Sequence, residues 1–220
     1  MKEIRYTLLS EGSSDKALLP ILNWLLQIHL PGYAIQSEWA DLSRFPKPPK
    51  TLEKRVSASL KYYPCDVLFI HRDADNQGQA QRRNEINEAI ERANLAKGIS
   101  TICVIPVRMT EAWLLSDESA IRVAADSPKG HQTLDLPHLK SIENIADPKE
   151  LLYTMLRQAS QVSGRRLKRF NQRLSSRVQR ISEMTQDFSP LRELEAFGAL
   201  ELSIQDFVKA EFSTDNSGNL

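Results

Sequence analysis

The stretch Val67–Asp75, VLFIHRDAD, is an apolar run that ends in two aspartates separated by one alanine. Four consecutive apolar residues followed by polar ones predict a short buried strand. Open sheets in which strands alternate with helices bind their ligands at the carboxyl ends of the strands. We therefore expect Asp73 and Asp75 at the ligand-binding edge of a sheet. Two residues apart on an extended chain, they would point to the same side.

A second strand-like run near the start of the chain, Ile4–Ser10, also leads into acidic residues. The sequence that follows it is EGSSD, with Glu11 and Asp15 as its carboxylates. A lone pair of aspartates more often caps a helix or lies in a solvated loop, but two acidic strand ends favour one shared metal site. Carboxylate oxygens suit Mg²⁺ or Mn²⁺. Glu11, Asp15, Asp73 and Asp75 are the predicted ligands.

Strands alternate with helical segments through the first half of the chain. The predicted strands are Ile4–Ser10, Tyr33–Trp39, Asp66–Arg72 and Ser100–Val107. This alternation predicts an α/β fold, Rossmann-like, with a mostly parallel four-stranded sheet flanked by helices. After about residue 117 the pattern changes to helices alone. We expect a catalytic core over residues 1–126, a helical extension packed on it over 127–212, and a flexible tail over 213–220.

The composition excludes few classes of function. The formal net charge is +1, from 29 basic and 28 acidic residues, so the overall charge points to no particular partner. Cys65 and Cys103 lie in or beside apolar runs and are expected to be reduced core residues of a cytoplasmic protein. No apolar stretch reaches about 18 residues and no signal peptide is recognised, so no membrane partner is expected.

Basic residues cluster in two segments, which favours a polymer over a small molecule as the substrate. The first segment covers residues 44–61 and the second covers residues 165–180. On one continuous helix, the arginines of the second segment form a stripe beside an apolar stripe. Such a stripe suits a phosphate backbone, and the alternative is an ordinary solvated face. The predicted nucleic-acid-binding residues are Lys50, Lys54, Arg165, Arg166, Arg169, Arg173 and Arg177.

The two acidic motifs resemble those of the Toprim domain, which has a glutamate-glycine pair at one strand end and two aspartates at another. That domain occurs in topoisomerases, bacterial primases, small RNA-maturing nucleases and overcoming-lysogenization-defect (OLD) nucleases. The segment Glu111–Asp117, EAWLLSD, is similar to a signature of small stand-alone bacterial Toprim-like proteins, some of them in phage-defence settings. By motif, the resemblance covers about residues 4–117.

The resemblance implies roles for individual residues. Glu11 would be a metal ligand or general acid/base, Asp73 and Asp75 would be metal ligands, and Asp15 would correspond to the acidic residue that serves a further metal in OLD nucleases. Glu111 would be another carboxylate near the site. We also expect a basic residue, Lys168 or Arg165, to reach the site and stabilise charge that develops on phosphate. The predicted catalytic set is Glu11, Asp73, Asp75, Glu111 and Lys168.

The function expected from these residues is metal-dependent hydrolysis of phosphodiester bonds in DNA or RNA, in bacterial defence against phage. The chain has no GxxxxGK[ST] motif, so an ATPase would be a separate partner chain, and homo-oligomers are a further expected assembly. Two alternatives stay open: a non-catalytic Toprim-fold subunit that docks to such an ATPase, and a phosphoryl-transfer enzyme for a small substrate. His71 lies beside the expected site, but strand alternation leaves its direction open.

Overall fold

The computed structural model describes residues 2–95 and 98–212 of the chain. Its sheet has four strands, all parallel, in the order β2-β1-β3-β4. The predicted α/β class with a four-stranded sheet is therefore confirmed. The predicted tail, residues 213–220, lies outside the described residues. The strands are β1 (Lys2–Leu9), β2 (Tyr33–Trp39), β3 (Val67–His71) and β4 (Ser100–Val104).

Three helices connect the strands, and five further helices follow β4 in the described part of the chain. Two 3-10 turns matter for the site, Ser13–Ala17 after β1 and Thr110–Ser116 after β4. The α-helices are α1 (Leu18–His29), α2 (Leu52–Tyr62), α3 (Gln79–Ala93), α4 (Glu118–Ala124), α5 (Pro148–Ser160), α6 (Gly164–Asn171), α7 (Leu174–Met184) and α8 (Glu195–Phe212).

α8 runs through Gly198 without a break. A glycine inside a helix costs about 1 kcal/mol relative to alanine. The buried side chains of Phe197 and Leu200 on the same helix offset that cost, since burying one such side chain contributes about 1.5–3 kcal/mol.

Side chains of β3 are buried on both faces of the sheet, as the central position of a parallel strand requires. Val67 and Phe69 enter a large core that includes residues of α1 and α8. Leu68 and Ile70 enter a smaller core with residues of α2 and α3. Helices therefore cover both faces, and the carboxyl ends of the strands are the edge at which loops can build a site.

The register of β1 against β3 brings the two acidic segments together. Leu9, the last residue of β1, pairs with Ile70 of β3. Because the strands are parallel, the loops that begin after Leu9 and after His71 leave the sheet at the same edge. Within residues 2–95 and 98–212, no helix has the length and apolar character needed to cross a membrane.

The C-terminal helices share the large core with the sheet. The ring of Phe197 in α8 packs edge-on against Trp113, with centroids 5.4 Å apart, and lies 6.5 Å from the ring of Trp24 in α1. α8 also packs against β4. Phe197 therefore joins the helical half of the chain to the sheet half.

Replacing Phe197 by alanine should lower the free energy of unfolding by about 3–5 kcal/mol, because a fully buried aromatic ring is lost and a cavity is left. Urea denaturation followed by circular dichroism measures this change. Leu202, exposed on the same helix, is the control, and its alanine variant should stay within about 0.5 kcal/mol of the wild type. Equal effects of the two substitutions would contradict this account of the core.

Candidate functional site

Four of the predicted carboxylates lie at the carboxyl edge of the sheet. Glu11 is in the loop after β1, and Asp15 is in the 3-10 turn that follows it. Asp73 and Asp75 are in the loop after β3, the strand adjacent to β1. The structure thus brings Glu11, Asp15, Asp73 and Asp75 to one place, which we call the acidic edge.

The imidazole of His71 connects two of these carboxylates. His71 is 1% exposed, and its Nδ1 lies 3.5 Å from Asp15 Oδ2. Its Nε2 lies 3.2 Å from Asp73 Oδ1 and 3.2 Å from Thr110 Oγ1. The amide N–H of Gly12 donates to Asp15 Oδ2 at 2.9 Å, and that of Thr110 donates to Asp73 Oδ1 at 3.1 Å. Both carboxylates are therefore fixed in orientation by hydrogen bonds and by one shared ring.

The two carboxylates decide the charge of the ring. Burial alone would lower the pKa of His71, but the close contacts of the ring with the negatively charged carboxylates of Asp15 and Asp73 outweigh it and raise this pKa to about 9. Burial likewise works to raise the pKa of Asp15, while His71 and the Gly12 N–H lower it further than burial raises it. At neutral pH the ring is an imidazolium held between two carboxylates.

A second chain of charges crosses the same edge. Arg72 Nε lies 2.6 Å from Glu11 Oε1, and Arg72 Nη1 donates to Glu85 Oε1 at 2.8 Å. Arg82 Nη1 donates to Glu85 Oε2 at 2.9 Å, and Arg82 Nη2 donates to Asp75 Oδ2 at 3.0 Å. Glu85, on α3, therefore holds one guanidinium beside Glu11 and another beside Asp75.

The expectation that Asp73 and Asp75 point to the same side of an extended strand is wrong. β3 ends at His71, and Asp75 has a left-handed backbone with φ +48°. The N–H of Ala74 donates to the carbonyl of Pro106, which holds this loop beside the chain that leaves β4. Because the chain turns here, Asp73 contacts His71 whereas Asp75 contacts Arg82.

Glu111 lies in the 3-10 turn after β4 and is 6% exposed. Burial raises the pKa of its carboxyl group, the nearby charge of Asp73 adds to this, and the ammonium of Lys149 opposes both. Lys149 Nζ is 3.3 Å from Glu111 Oε1. The sequence had assigned the basic residue near the site to Lys168 or Arg165, but both are exposed on α6, and the lysine that contacts Glu111 comes from α5.

The donors at the acidic edge fit a hard divalent cation in their chemistry, because all are carboxylates. Their arrangement is not a completed ligand shell: among residues 2–95 and 98–212, no group of three or more His, Cys, Asp or Glu side chains is placed to hold a metal ion. Each carboxylate faces a cationic side chain instead. Glu11 faces Arg72, Asp75 faces Arg82, and His71 lies between Asp15 and Asp73. Metal binding at this edge therefore requires carboxylates to exchange these partners for the ion.

The predicted basic stripe is not on one helix. α6 ends at Asn171 and α7 begins at Leu174, with Arg173 between them. The N–H of Arg173 donates to the carbonyl of Phe170, three residues earlier, and this tighter turn closes α6. The single-helix prediction is wrong, but α7 does pack against both 3-10 turns that carry Asp15 and Glu111.

The basic residues of the first segment divide into two groups. Lys50 and Lys54 are exposed to solvent. Arg55 instead donates a hydrogen bond to the carbonyl of Ser10, beside Glu11. A cleft of about 320 Å³ opens here, lined by Glu11, Arg55 and residues that follow β2. This cleft lies next to the acidic edge and offers space for part of a ligand.

Several site residues were missed by the sequence reasoning. Arg72 and Arg82 were not selected, although Arg72 stands directly before Asp73 in the opening motif. Thr110 was not among the predicted site residues either. The contact of Lys149 with Glu111 could not be predicted, because Glu111 lies 38 residues earlier and nothing in the local sequence links the two residues.

Comparisons with known proteins add no relative to this geometry. No protein-family model, no curated protein and no solved structure matches the chain. Functional proposals therefore depend on the residues of the acidic edge and on their contacts.

The buried imidazolium should make stability depend on pH. The pKa of His71 is about 9 in the folded protein against 6.5 for the free side chain, so its contribution is complete below pH 6.5 and is lost as pH rises through 9. In buffer that contains a metal chelator, we expect the free energy of unfolding of the wild type to fall by about 3 kcal/mol between pH 6.5 and 9.5.

The variant His71→Gln should lose this fall, because it has no titrating ring at the site. The control His131→Gln should keep it, because His131 is an exposed loop residue. Denaturation curves at each pH provide the measurement. An equal fall in wild type and His71→Gln would show that other groups cause it.

Proposed function

We propose that the chain is a Toprim-like nuclease that uses Mg²⁺ or Mn²⁺ to hydrolyse phosphodiester bonds in DNA or RNA. The observation that carries the proposal is the acidic edge itself, built from the ends of two adjacent parallel strands. Glu11, Asp73 and Asp75 would hold a cation, with Asp15 available for a further one. Such a cation, when bound, would lower the pKa of a bound water and stabilise the leaving oxygen.

The protein's own groups can orient and neutralise a phosphate at this edge. The Thr110 N–H holds Asp73 in one orientation. Arg72 and Arg82 are both anchored by Glu85, so their guanidinium groups stay near the edge when Glu11 and Asp75 change partners. Guanidinium groups fixed in this way would donate to phosphate oxygens, on which negative charge increases during the reaction.

Glu111 suits the role of a proton carrier. Its raised pKa, caused by burial and by Asp73, increases the fraction of protonated carboxyl near neutral pH. Its contact with Lys149 keeps the charged form accessible as well. We propose Glu111 as the group that exchanges a proton during hydrolysis.

The second candidate is a non-catalytic Toprim-fold subunit. The observation that favours it is the pairing of every acidic-edge carboxylate with a cationic side chain, with no ready three-ligand group in the described part of the chain. The burial of Asp15 and Glu111 argues against this candidate. Burying charged groups costs free energy, and a docking surface does not require buried carboxylates. A defence role, a partner ATPase and a cytoplasmic location are implied by the sequence resemblance alone.

The variant Asp73→Asn tests the proposal. We expect it to keep the fold and to lose more than about 100-fold of the hydrolysis of plasmid, single-stranded DNA or tRNA, because even indirect partners of metal ligands contribute about 10–100-fold. The matched control is Asp66→Asn, which changes an aspartate just before β3, at the opposite end of the strand, where it accepts from the Arg5 N–H at 2.8 Å.

Isothermal titration with Mn²⁺ separates metal binding from activity in the same variants. Asp73→Asn should weaken Mn²⁺ binding and Asp66→Asn should not. Full hydrolysis by folded Asp73→Asn at saturating Mn²⁺ would refute the nuclease assignment, and absence of hydrolysis by the wild type on all three substrates would favour the docking subunit.

A further inference from the structure

A cleft of about 540 Å³ lies among the end of α4 and helices α5, α6 and α7. Its volume is in the range of ligand-binding pockets, about 300–1,000 Å³. Four arginines line it, together with a single carboxylate, Asp126. We call this site the arginine cleft, and its arginines are Arg166, Arg169, Arg173 and Arg177.

Arg177 is a fixed part of the wall of this cleft. Its guanidinium lies over the ring of Phe170, 4.1 Å from the centroid, and donates to the carbonyl of Ala124. Its Nη2 donates to Asp126 Oδ2 at 2.7 Å, and its side chain is only 13% exposed. Its Nε is buried and finds no hydrogen-bond partner among the described residues. The arginine is thus held in place while its buried Nε–H has no acceptor in the part of the chain that the structure describes.

The single carboxylate of the cleft is already fully engaged. Asp126 accepts from Arg177 through one oxygen and from Arg180 through the other, at 2.7 Å in both cases. These two arginines also lower the pKa of Asp126, so it stays charged. Among the residues that the structure describes, no other negative charge lines the cleft for the remaining arginines.

Three arginines of the cleft therefore lack a counter-charge. Arg166, Arg169 and Arg173 are exposed, and none of them forms an ion pair with any residue in the ranges 2–95 and 98–212. Cationic groups that line a concave surface focus a positive potential, which attracts anions. The arginine cleft is therefore suited to bind an anionic ligand.

The chemistry of the cleft favours the phosphates of a polymer over a single small anion. Guanidinium groups match phosphate oxygens in pairs. The arginines are spread over α6, α7 and the turn between these helices, so they can meet successive phosphates. α7, which carries Arg177 in the cleft wall, also packs against the 3-10 turn that carries Asp15. A strand bound in the cleft would therefore lie on a helix that contacts the acidic edge.

The concave shape favours a single strand. A single strand can enter a cleft with its phosphates towards the arginines and its bases stacked on exposed guanidinium faces. A duplex keeps its bases inside and would meet only the exposed rim. We propose that the arginine cleft binds the phosphate backbone of a single-stranded segment of nucleic acid, an inference that rests on the proposed nuclease function for the kind of polymer.

Binding can be measured without hydrolysis in an Asp73→Asn background, by fluorescence anisotropy with a labelled 20-nucleotide single strand and the duplex of the same sequence. The test variant replaces Arg166, Arg169 and Arg173 by glutamine. The control replaces three exposed lysines elsewhere by glutamine and removes the same charge. These lysines are Lys61, Lys140 and Lys209.

We expect the Asp73→Asn protein to bind the single strand more tightly than the duplex. Each contact with a single-strand phosphate contributes about 0.7 to the slope of log K against log salt. The arginine triple should therefore flatten that slope by about two units and weaken binding at low salt, while the lysine triple keeps the parent slope. The single variant Arg169→Gln, at an exposed helical position, should flatten it by about 0.7.

Melting temperatures confirm that each variant is folded. An unchanged slope in the arginine variants, an equal loss in the lysine triple, or tighter binding of duplex than of single strand would overturn the inference. Failure of the nuclease proposal would appear separately, as absent hydrolysis by the wild type. The binding comparison stays decisive for the arginine cleft in that case.

Discussion

The acidic edge depends on one buried contact, the imidazolium of His71 between Asp15 and Asp73. This contact joins the loop after β1 to the loop after β3, and Thr110 extends it to the 3-10 turn after β4. Ion triads in a protein interior are stable only when the charges are matched and hydrogen-bonded. Here the backbone N–H groups of Gly12 and Thr110 supply those hydrogen bonds. The positions of three loops at the edge are coupled through a single ring.

The rest of the edge follows the same electrostatic rule. Carboxylates close together repel one another, so each needs a cation nearby. Arg72 and Arg82 meet this need for Glu11 and Asp75, with Glu85 holding both arginines. In the proposed function, a divalent cation would take over the neutralising role and leave the arginines available for phosphate. The same side chains would then serve the metal-free and the metal-bound protein.

Much of the fold could be predicted from the sequence, because local patterns decide it. The bounds of β2 agree with prediction, since hydrophobic patterning and the nearby proline and glycine mark them. The break before Leu174 could not be predicted, because the apolar stripe runs on across it. The contacts of the His71 side chain could not be predicted either. Strand alternation places His71 on the same face of the sheet as Phe69, but it does not identify the residues that cover that face. Its partners come from residues 15, 73 and 110, which only the tertiary fold brings together.

The proposed function requires the acidic edge to bind a divalent cation. A crystal grown with Mn²⁺ and measured near the manganese absorption edge would locate that ion directly. The account predicts an anomalous peak with Asp73 and at least one of Glu11 and Asp75 as ligands, at distances of roughly 2.0–2.6 Å from their oxygens, and with Arg72 or Arg82 displaced from its present carboxylate. An anomalous map without a peak at this edge, with the arginine pairs unchanged at saturating Mn²⁺, would contradict it.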